Sequence, residues 1–348
     1  MLATGQAILR RFWYPAIPVE RLADGPKPFR LLGRDLVLWR DAGGRVAAMD
    51  DRCCHRSAKL SRGFVDGALL VCGYHGWAFD GQGQCRRVPQ FGEQAGQTRY
   101  RVPSYRAETR YDYVWVCLED PLYPIPDLPE HAMAGYRTIH QFYESWDCAG
   151  LRVMENSFDN AHFAFVHRAS FGDQGHPVPA KLELEFFDQG FVMRSDVPVV
   201  NPEIQMKNLG MTARETVRHM TATWWMPFMR KLHIRYPNGL VHCIVTVATP
   251  IEDSRSQICQ WVYRNDREDQ VPAAQIIAFD RQVTQEDIFI LETTDPDVPL
   301  ELQGAGEAHM PSDRPGVEMR KRLKKLLADH GESEARAAQG PGPAQAAE

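Results

Sequence analysis

No run of roughly 18 apolar residues, the length a membrane-crossing helix needs, occurs anywhere in the chain. The opening residues Met1 to Pro18 are interrupted by Arg10, Arg11 and prolines where a secretion signal requires an unbroken apolar stretch, so the expectation is a cytoplasmic protein with no membrane attachment. Cysteine is scarce. Eight in 348 residues are too few for a disulfide scaffold, and several of them stand close to histidine, which points to metal ligation in a reducing compartment. No Lys/Arg stripe interleaved with aromatics marks a nucleic-acid surface, and no internal repeat suggests a solenoid. A Gly-rich nucleotide fingerprint is also missing, so the chain is not expected to take electrons from NAD(P)H by itself.

What is present suits two globular domains, with 44% hydrophobic and 24% charged residues over 348 positions. The net charge of −5 divides unevenly: residues 1 to 120 hold 18 Lys/Arg against 13 Asp/Glu, and the remainder 22 against 32. Ordinary surface charge accounts for this. The sharper reading is a basic docking face for an acidic electron carrier.

From about residue 30 to 118 short apolar or alternating runs (Phe29 to Trp39, Val46 to Met49, Ala68 to Cys72, Tyr111 to Leu118) are separated by turn signals at Asp41-Ala-Gly-Gly, Asp66-Gly67 and Asp80-Gly-Gln-Gly83. This pattern predicts a small antiparallel β domain. Pro121 to Pro129 reads as a linker, because proline disfavours both helix and central strand. Beyond it, residues 151–168 look helical, Leu182 to Phe187 and Leu240 to Ala248 look like strands, and Pro272 opens a helix to about Thr293. The predicted organisation is an all-β domain over 1–130, linker included, an α+β domain over 131–330, and a disordered tail over 331–348 that lacks apolar periodicity.

Two constellations carry chemistry. In the first, Cys53-Cys54-His55 is followed by Cys72-Gly73-Tyr74-His75, so each of two loops offers one thiolate and one imidazole. Such a set could hold a zinc ion or a [2Fe-2S] cluster. Common zinc fingers pair cysteine with cysteine, whereas mixed loops suit a cluster in which one iron takes both cysteines and the other both histidines. The stretches Asp51 to Leu60 and Val71 to Cys85 closely resemble the cluster loops of bacterial Rieske oxygenases. That resemblance implies Cys53, His55, Cys72 and His75 as cluster ligands, with Cys54 the less favoured alternative to Cys53. Tyr74 and Trp77 would shield the cluster. Cys85, Cys117, Cys148, Cys243 and Cys259 have no histidine at cluster spacing and are expected as buried apolar filler.

In the second, Glu155, Asp159 and His162 stand at i, i+4 and i+7, on one face of an ideal helix. His167 lies about 140° round from His162 and can share a metal with it only if the helix ends, bulges or tightens. Glu-Asn-x-x-Asp-x-x-His-x-x-x-x-His resembles the mononuclear-iron segment of the same family, which implies His162 and His167 as Fe(II) ligands completed by a later carboxylate. Asp287 is favoured for that place, with its neighbour Glu286 the runner-up, expected instead to face solvent. Asp159 is placed to fix the His162 ring. The resemblance further implies that Asp159 bridges to His75 of the partner subunit in a ring-shaped homotrimer.

The family membership thus suggested implies a Rieske domain followed by a helix-grip (START-like) catalytic domain. Its activity would be hydroxylation or oxidative N- or O-demethylation of a small aromatic or heterocyclic substrate by O2, with electrons from NAD(P)H through a separate reductase or ferredoxin. Met310 to Leu323 resembles the end of family members built from alpha subunits alone. The competing readings are a Rieske electron-transfer protein without oxygenase chemistry, against which the second constellation and some 200 further residues count, and a zinc-binding structural module, which metal analysis would separate from the other two. For the substrate pocket, Trp224 to Met229 is a candidate lining, although such a run more often belongs to a core.

Overall fold

The computed structural model describes residues 1–94, 99–303 and 306–338. The short runs of the first third close into two antiparallel sheets. Six strands form the larger, in the order Tyr14–Pro18, Tyr113–Cys117, Ser104–Arg110, Val46–Asp50, Arg34–Arg40 and Lys27–Leu31. Phe64–Asp66, Leu69–Val71, Ala78–Phe79 and Cys85–Arg87 form the smaller. Side chains alternate along a strand. Val37 and Trp39 therefore enter the core between these sheets, while Leu36 and Leu38 enter a second core on the opposite face.

That second core is shared with the rest of the chain, where seven antiparallel strands run in the order Arg137–Trp146, Arg255–Arg264, Val241–Glu252, Met229–Arg235, Glu215–Trp225, Gly190–Val200 and Leu182–Phe187. Five helices accompany them: α1 (Gly150–Ser157), α2 (Phe163–Val166), α3 (Glu203–Leu209), α4 (Ala273–Leu291) and α5 (Arg314–Asp329). The long α4 buries Ile276, Phe279 and Leu291 and touches α1, α2, α3 and the first strand of the sheet, which is a helix gripped by a sheet. The all-β then α+β order matches the sequence expectation.

Hydrogen bonds from backbone and side-chain donors fasten the two halves together. Leu32 and Gly33 donate to Pro250 and Ile251 at 2.8 and 2.9 Å, Thr249 Oγ1 donates to Pro15 O at 2.8 Å, and Tyr143 Oη to Ala16 O at 2.8 Å. The segment read as a linker is irregular apart from a short turn at Pro129–His131, yet Ile125 and Leu128 are buried in a core with Trp115 and Trp261. It is a packed strap.

Two expectations need correcting. Residues 151–168 are not one helix, because α1 stops at Ser157 and only the single turn α2 follows. The tail expected from residue 331 is held against the chain's start as far as Ala337: Glu332 accepts from Gln6 Nε2 and Ile8 N, and Asp297 accepts from Arg336 Nε and Ala337 N. Capping and ion-pair groups, which apolar periodicity does not register, are the reason. Residues 339–348 of that expected tail lie outside the described residues.

A buried ion network joins α5 to α1. Arg320 donates from Nε to Glu155 at 2.5 Å and pairs through Nη2 with Glu307 at 2.6 Å, and Arg152 also bonds Glu307. Burial alone would raise the Glu307 carboxyl, but the hydrogen bonds from Arg152 and Arg320 hold it down at about 2. Because the folded value lies below the ordinary 4.5, this carboxylate stabilises the fold fully above pH 4.5, and the stabilisation is lost as pH falls toward about 2. Glu307→Gln is expected to melt a few degrees lower than wild type at pH 6, with the difference shrinking below pH 4.5. Calorimetry across that range checks it.

Candidate metal centres

The two Cys/His loops have the same backbone frame. In the first, Cys53 N donates to Ala58 O at 2.8 Å and Ser57 N to Cys53 O at 3.0 Å; in the second, Cys72 N donates to Trp77 O at 2.8 Å and Gly76 N to Cys72 O at 3.0 Å. Each frame turns through a positive φ four residues after the cysteine, at Ser57 (61°) and Gly76 (72°). Glycine takes that conformation freely, whereas serine accepts strain to complete the turn. The second loop packs tightly on the turn that follows the first: at Gly73 a Cβ would stand 2.9 Å from Arg62 O.

This frame buries Cys53 and Cys72 side by side and leaves Cys54 exposed. The His55 and His75 rings lie 4.6 Å apart, and Trp77 stacks on His55 at 4.5 Å. Tyr74 touches His75 but is 65% exposed, so among the two expected shields Trp77 covers the site more fully. Burial pushes the Cys53 thiol up to about 12, with Cys72 beside it contributing, so a thiolate pair here requires a cation. His55 Nδ1 is buried without a hydrogen-bond partner. An unpaired imidazole nitrogen and two thiols that need a cation fit a Cys2His2 cluster. The other five cysteines are buried, as expected of filler.

The second site is built by a break in the helix. Asp159 Oδ1 accepts from Ala161 N at 2.6 Å, offering the backbone a local alternative to the helical bond. Glu155, Asp159 and His162 therefore do not share a helical face as the sequence suggested. The chain restarts as α2, with His162 and His167 flanking its single turn. The condition set by the 140° problem is met in this way, and the two Nε2 atoms stand 3.2 Å apart. Asp287 Oδ1 is 3.5 Å from His162 Nε2 and 3.4 Å from His167 Nε2. These three groups are the metal-type cluster found among the described residues. The centre of such a triangle lies about 2 Å from each corner, the length of a bond from a divalent transition metal to an imidazole nitrogen.

Each imidazole turns its other nitrogen to a carboxylate. His162 Nδ1 is 3.3 Å from Asp159 Oδ2, and His167 Nδ1 is 2.8 Å from Glu286 Oε2, which also accepts from Ser170 Oγ at 2.7 Å. Burial lowers the His167 pKa, but Asp287 and Glu286 outweigh it and hold the ring above its ordinary range. Two histidines presented by paired carboxylates to a third carboxylate form a 2-His-1-carboxylate set.

The comparisons with known proteins can now be set beside this geometry. Residues 12–106 match the Rieske [2Fe-2S] domain, and residues 146–329 match the vanillate O-demethylase oxygenase C-terminal domain. The chain is a Rieske-type oxygenase. The oxygenase is 30% identical to methylxanthine N1-demethylase NdmA of Pseudomonas putida, over 93% of this chain and 91% of that one. It is 29% identical to methylxanthine N3-demethylase NdmB of the same organism, with the same coverage. The solved structure of Pseudomonas putida CBB5 NdmA with caffeine superposes with a TM-score of 0.82 at 28% identity, covering 93% and 92% of the two chains.

Sequence reasoning about the oxygenase misplaced one residue. Glu286 does not face solvent but carries the His167 and Ser170 bonds, and nothing in a run of helical residues distinguishes it from an exposed acid. Asn156, whose Nδ2 donates to Asp287 Oδ1 at 3.2 Å, sat unused in the motif. Trp224 to Met229 does not line the cavity beside His162 and His167: Trp224 is core, and the residues after it border a separate small space. Glu286→Ala is expected to weaken retention of the mononuclear metal by about 10- to 100-fold, the usual effect of removing the carboxylate behind a ligating histidine. Iron retained after dialysis against graded chelator measures it; unchanged retention refutes the role.

Proposed function

We propose that Cys53, His55, Cys72 and His75 hold a [2Fe-2S] cluster, that His162, His167 and Asp287 hold Fe(II), and that the chain is the terminal oxygenase of a multicomponent system. The reaction is hydroxylation or oxidative N- or O-demethylation of a small aromatic or heterocyclic compound, with electrons from NAD(P)H arriving through a separate reductase or ferredoxin. The observation that carries this reading is the convergence of His162 Nε2, His167 Nε2 and Asp287 at one end of a cavity of about 120 Å³ between the seven-stranded sheet and α4. Relatives spanning nearly the whole chain are named as N-demethylases. When bound, the metals supply one-electron transfer and O2 activation.

The protein's own residues have separable tasks. Glu286 and Asp159 orient the two imidazoles, and Asn156 holds the Asp287 carboxylate while leaving it free to face them. Phe163, Phe171 and Leu232 make the cavity wall apolar and limit water. The division proposed is a cluster domain over 1–130 and a catalytic domain over 131–330.

A homotrimer in which Asp159 joins His162 to His75 of the partner subunit is part of the proposal. Asp159 stands at the edge of an open hollow, and Phe165, Phe289 and Ile290, beside the ligands in sequence, are exposed apolar side chains that an interface would cover, Phe289 being 78% exposed. Asp159→Asn should then keep both metals and lose most turnover, and mixing its chains with His162→Ala chains should restore part of it. Wild-type turnover by Asp159→Asn would refute the bridge.

The metal assignments are tested directly. Purified protein should contain about three irons per chain and, once reduced, give the rhombic paramagnetic signal of a histidine-ligated cluster. Cys72→Ser should abolish that signal. Asp287→Ala should keep it while losing the mononuclear iron and product formation. A full signal in Cys72→Ser, or full turnover in Asp287→Ala, overturns the corresponding site.

A further inference from the structure

Two neighbouring spaces share walls with the cavity that holds His162, His167 and Asp287. Asn156 and His162 also border the open hollow at Asp159, whereas Phe163 and Phe171 also border a chamber of about 780 Å³. In the proposed trimer the hollow receives His75 of the partner subunit. With that face covered, the chamber behind the two phenylalanines is, among the described residues, the approach from solvent.

The chamber is walled by Val197 and Val199 of the strand Gly190–Val200, by Val217 of the strand Glu215–Trp225, and by Pro177, Val178 and Pro179 of the irregular segment 172–180. Its mouth stands in water, because Val178 is 86% and Val217 40% exposed. A neutral aromatic ring that enters it exchanges water for apolar contact, so the chamber gathers such molecules next to the metal cavity.

The two rings between the spaces are held differently. Phe171 is 7% exposed, stacks on His167 at 4.7 Å and carries the Arg218 guanidinium 4.6 Å from its centre. Its backbone is locked as well: Gly172 N donates to His167 O at 2.7 Å, and a Cβ on Gly172 would stand 2.0 Å from Phe163 O. Phe163 is half-buried and makes edge contacts, to His162 at 4.8 Å and to Phe171 at 5.2 Å. A turn about its side-chain bonds breaks no hydrogen bond and leaves α2 in place. Phe171 is a fixed post, and Phe163 is the part that can move.

We infer that substrate reaches the metal cavity through this chamber and that the Phe163 ring is the gate between the two. The inference rests on the proposed function in taking the metal cavity as the substrate site and the hollow at Asp159 as a subunit contact. A gate changes the height of a barrier and not the levels on either side of it. Obstructing the route therefore slows arrival and departure by the same factor and leaves affinity unchanged. A residue that only lines the cavity acts mainly on departure.

The probe is 4-fluoroanisole, a single neutral ring, followed by fluorine NMR on anaerobic holoenzyme with the mononuclear iron ferrous. Line shapes give both rates, and paramagnetic relaxation that disappears in Asp287→Ala places the probe beside the iron. Val217→Cys, capped with a bulky fluorescein maleimide, plugs the mouth; wild type treated alike controls for Cys54, the exposed native cysteine. Uncapped Val217→Cys should match wild type. Capping should lower the association and dissociation rates each by about ten-fold or more, with Kd held within about three-fold. Phe163→Ala should raise both rates, and Phe163→Trp should lower both. Rates unchanged by the cap, or an effect of Phe163→Ala on dissociation alone, overturn the route while the proposed function stands. Failure of the probe to bind at millimolar concentration, or binding without relaxation by the iron, overturns this cavity as the substrate site and the route with it.

Discussion

Two imidazole nitrogens held 3.2 Å apart, facing one carboxylate, are the constraint around which the catalytic half is arranged. A continuous helix cannot make that approach across a five-residue step, so α1 has to stop. The Asp159 side chain supplies the alternative hydrogen bond that stops it, and the same carboxylate then steadies His162. After His167 the chain must turn away at once: Gly172 N donates to His167 O at 2.7 Å, and a Cβ on Gly172 would stand 2.0 Å from Phe163 O. The third corner comes from α4, which is packed against α1, α2, α3 and the edge strand Arg137–Trp146. Helix break, tight exit and gripped helix are consequences of one short distance.

Much of this was legible in the sequence, for reasons that differ by residue. Cys53, His55, Cys72 and His75 stand at a spacing few other arrangements require, and the matching frames of the two loops show why the spacing is fixed. His162 and His167 could be named as a pair, and the geometric obstacle to pairing them correctly foretold a break. Most strands of the first half followed from alternation and turn residues, and in the second half Leu182–Phe187 and the greater part of Val241–Glu252 did.

What was not legible depends on contacts between residues far apart in the chain. Glu286 and Asp287 are neighbours on a helix, and only the position of His167, 119 residues earlier, decides that one carboxylate faces an Nδ1 and the other an Nε2. The segment after residue 331 has a composition that suggests disorder, yet its acids find donors at Gln6 and Ile8.

The fastening between the two halves bears on how the enzyme can be controlled. Leu36 and Leu38 share a core with the catalytic sheet, and the bonds that cross the boundary come from the tight turn at Leu32 and Gly33 and from Thr249 on a strand. Packed against one core, the loops that carry Cys53 and Cys72 and the turn that carries His162 and His167 are set at one spacing within the chain, like two teeth on one gear. A change felt at one of them would reach the other through packing across that core and not by the travel of one half past the other.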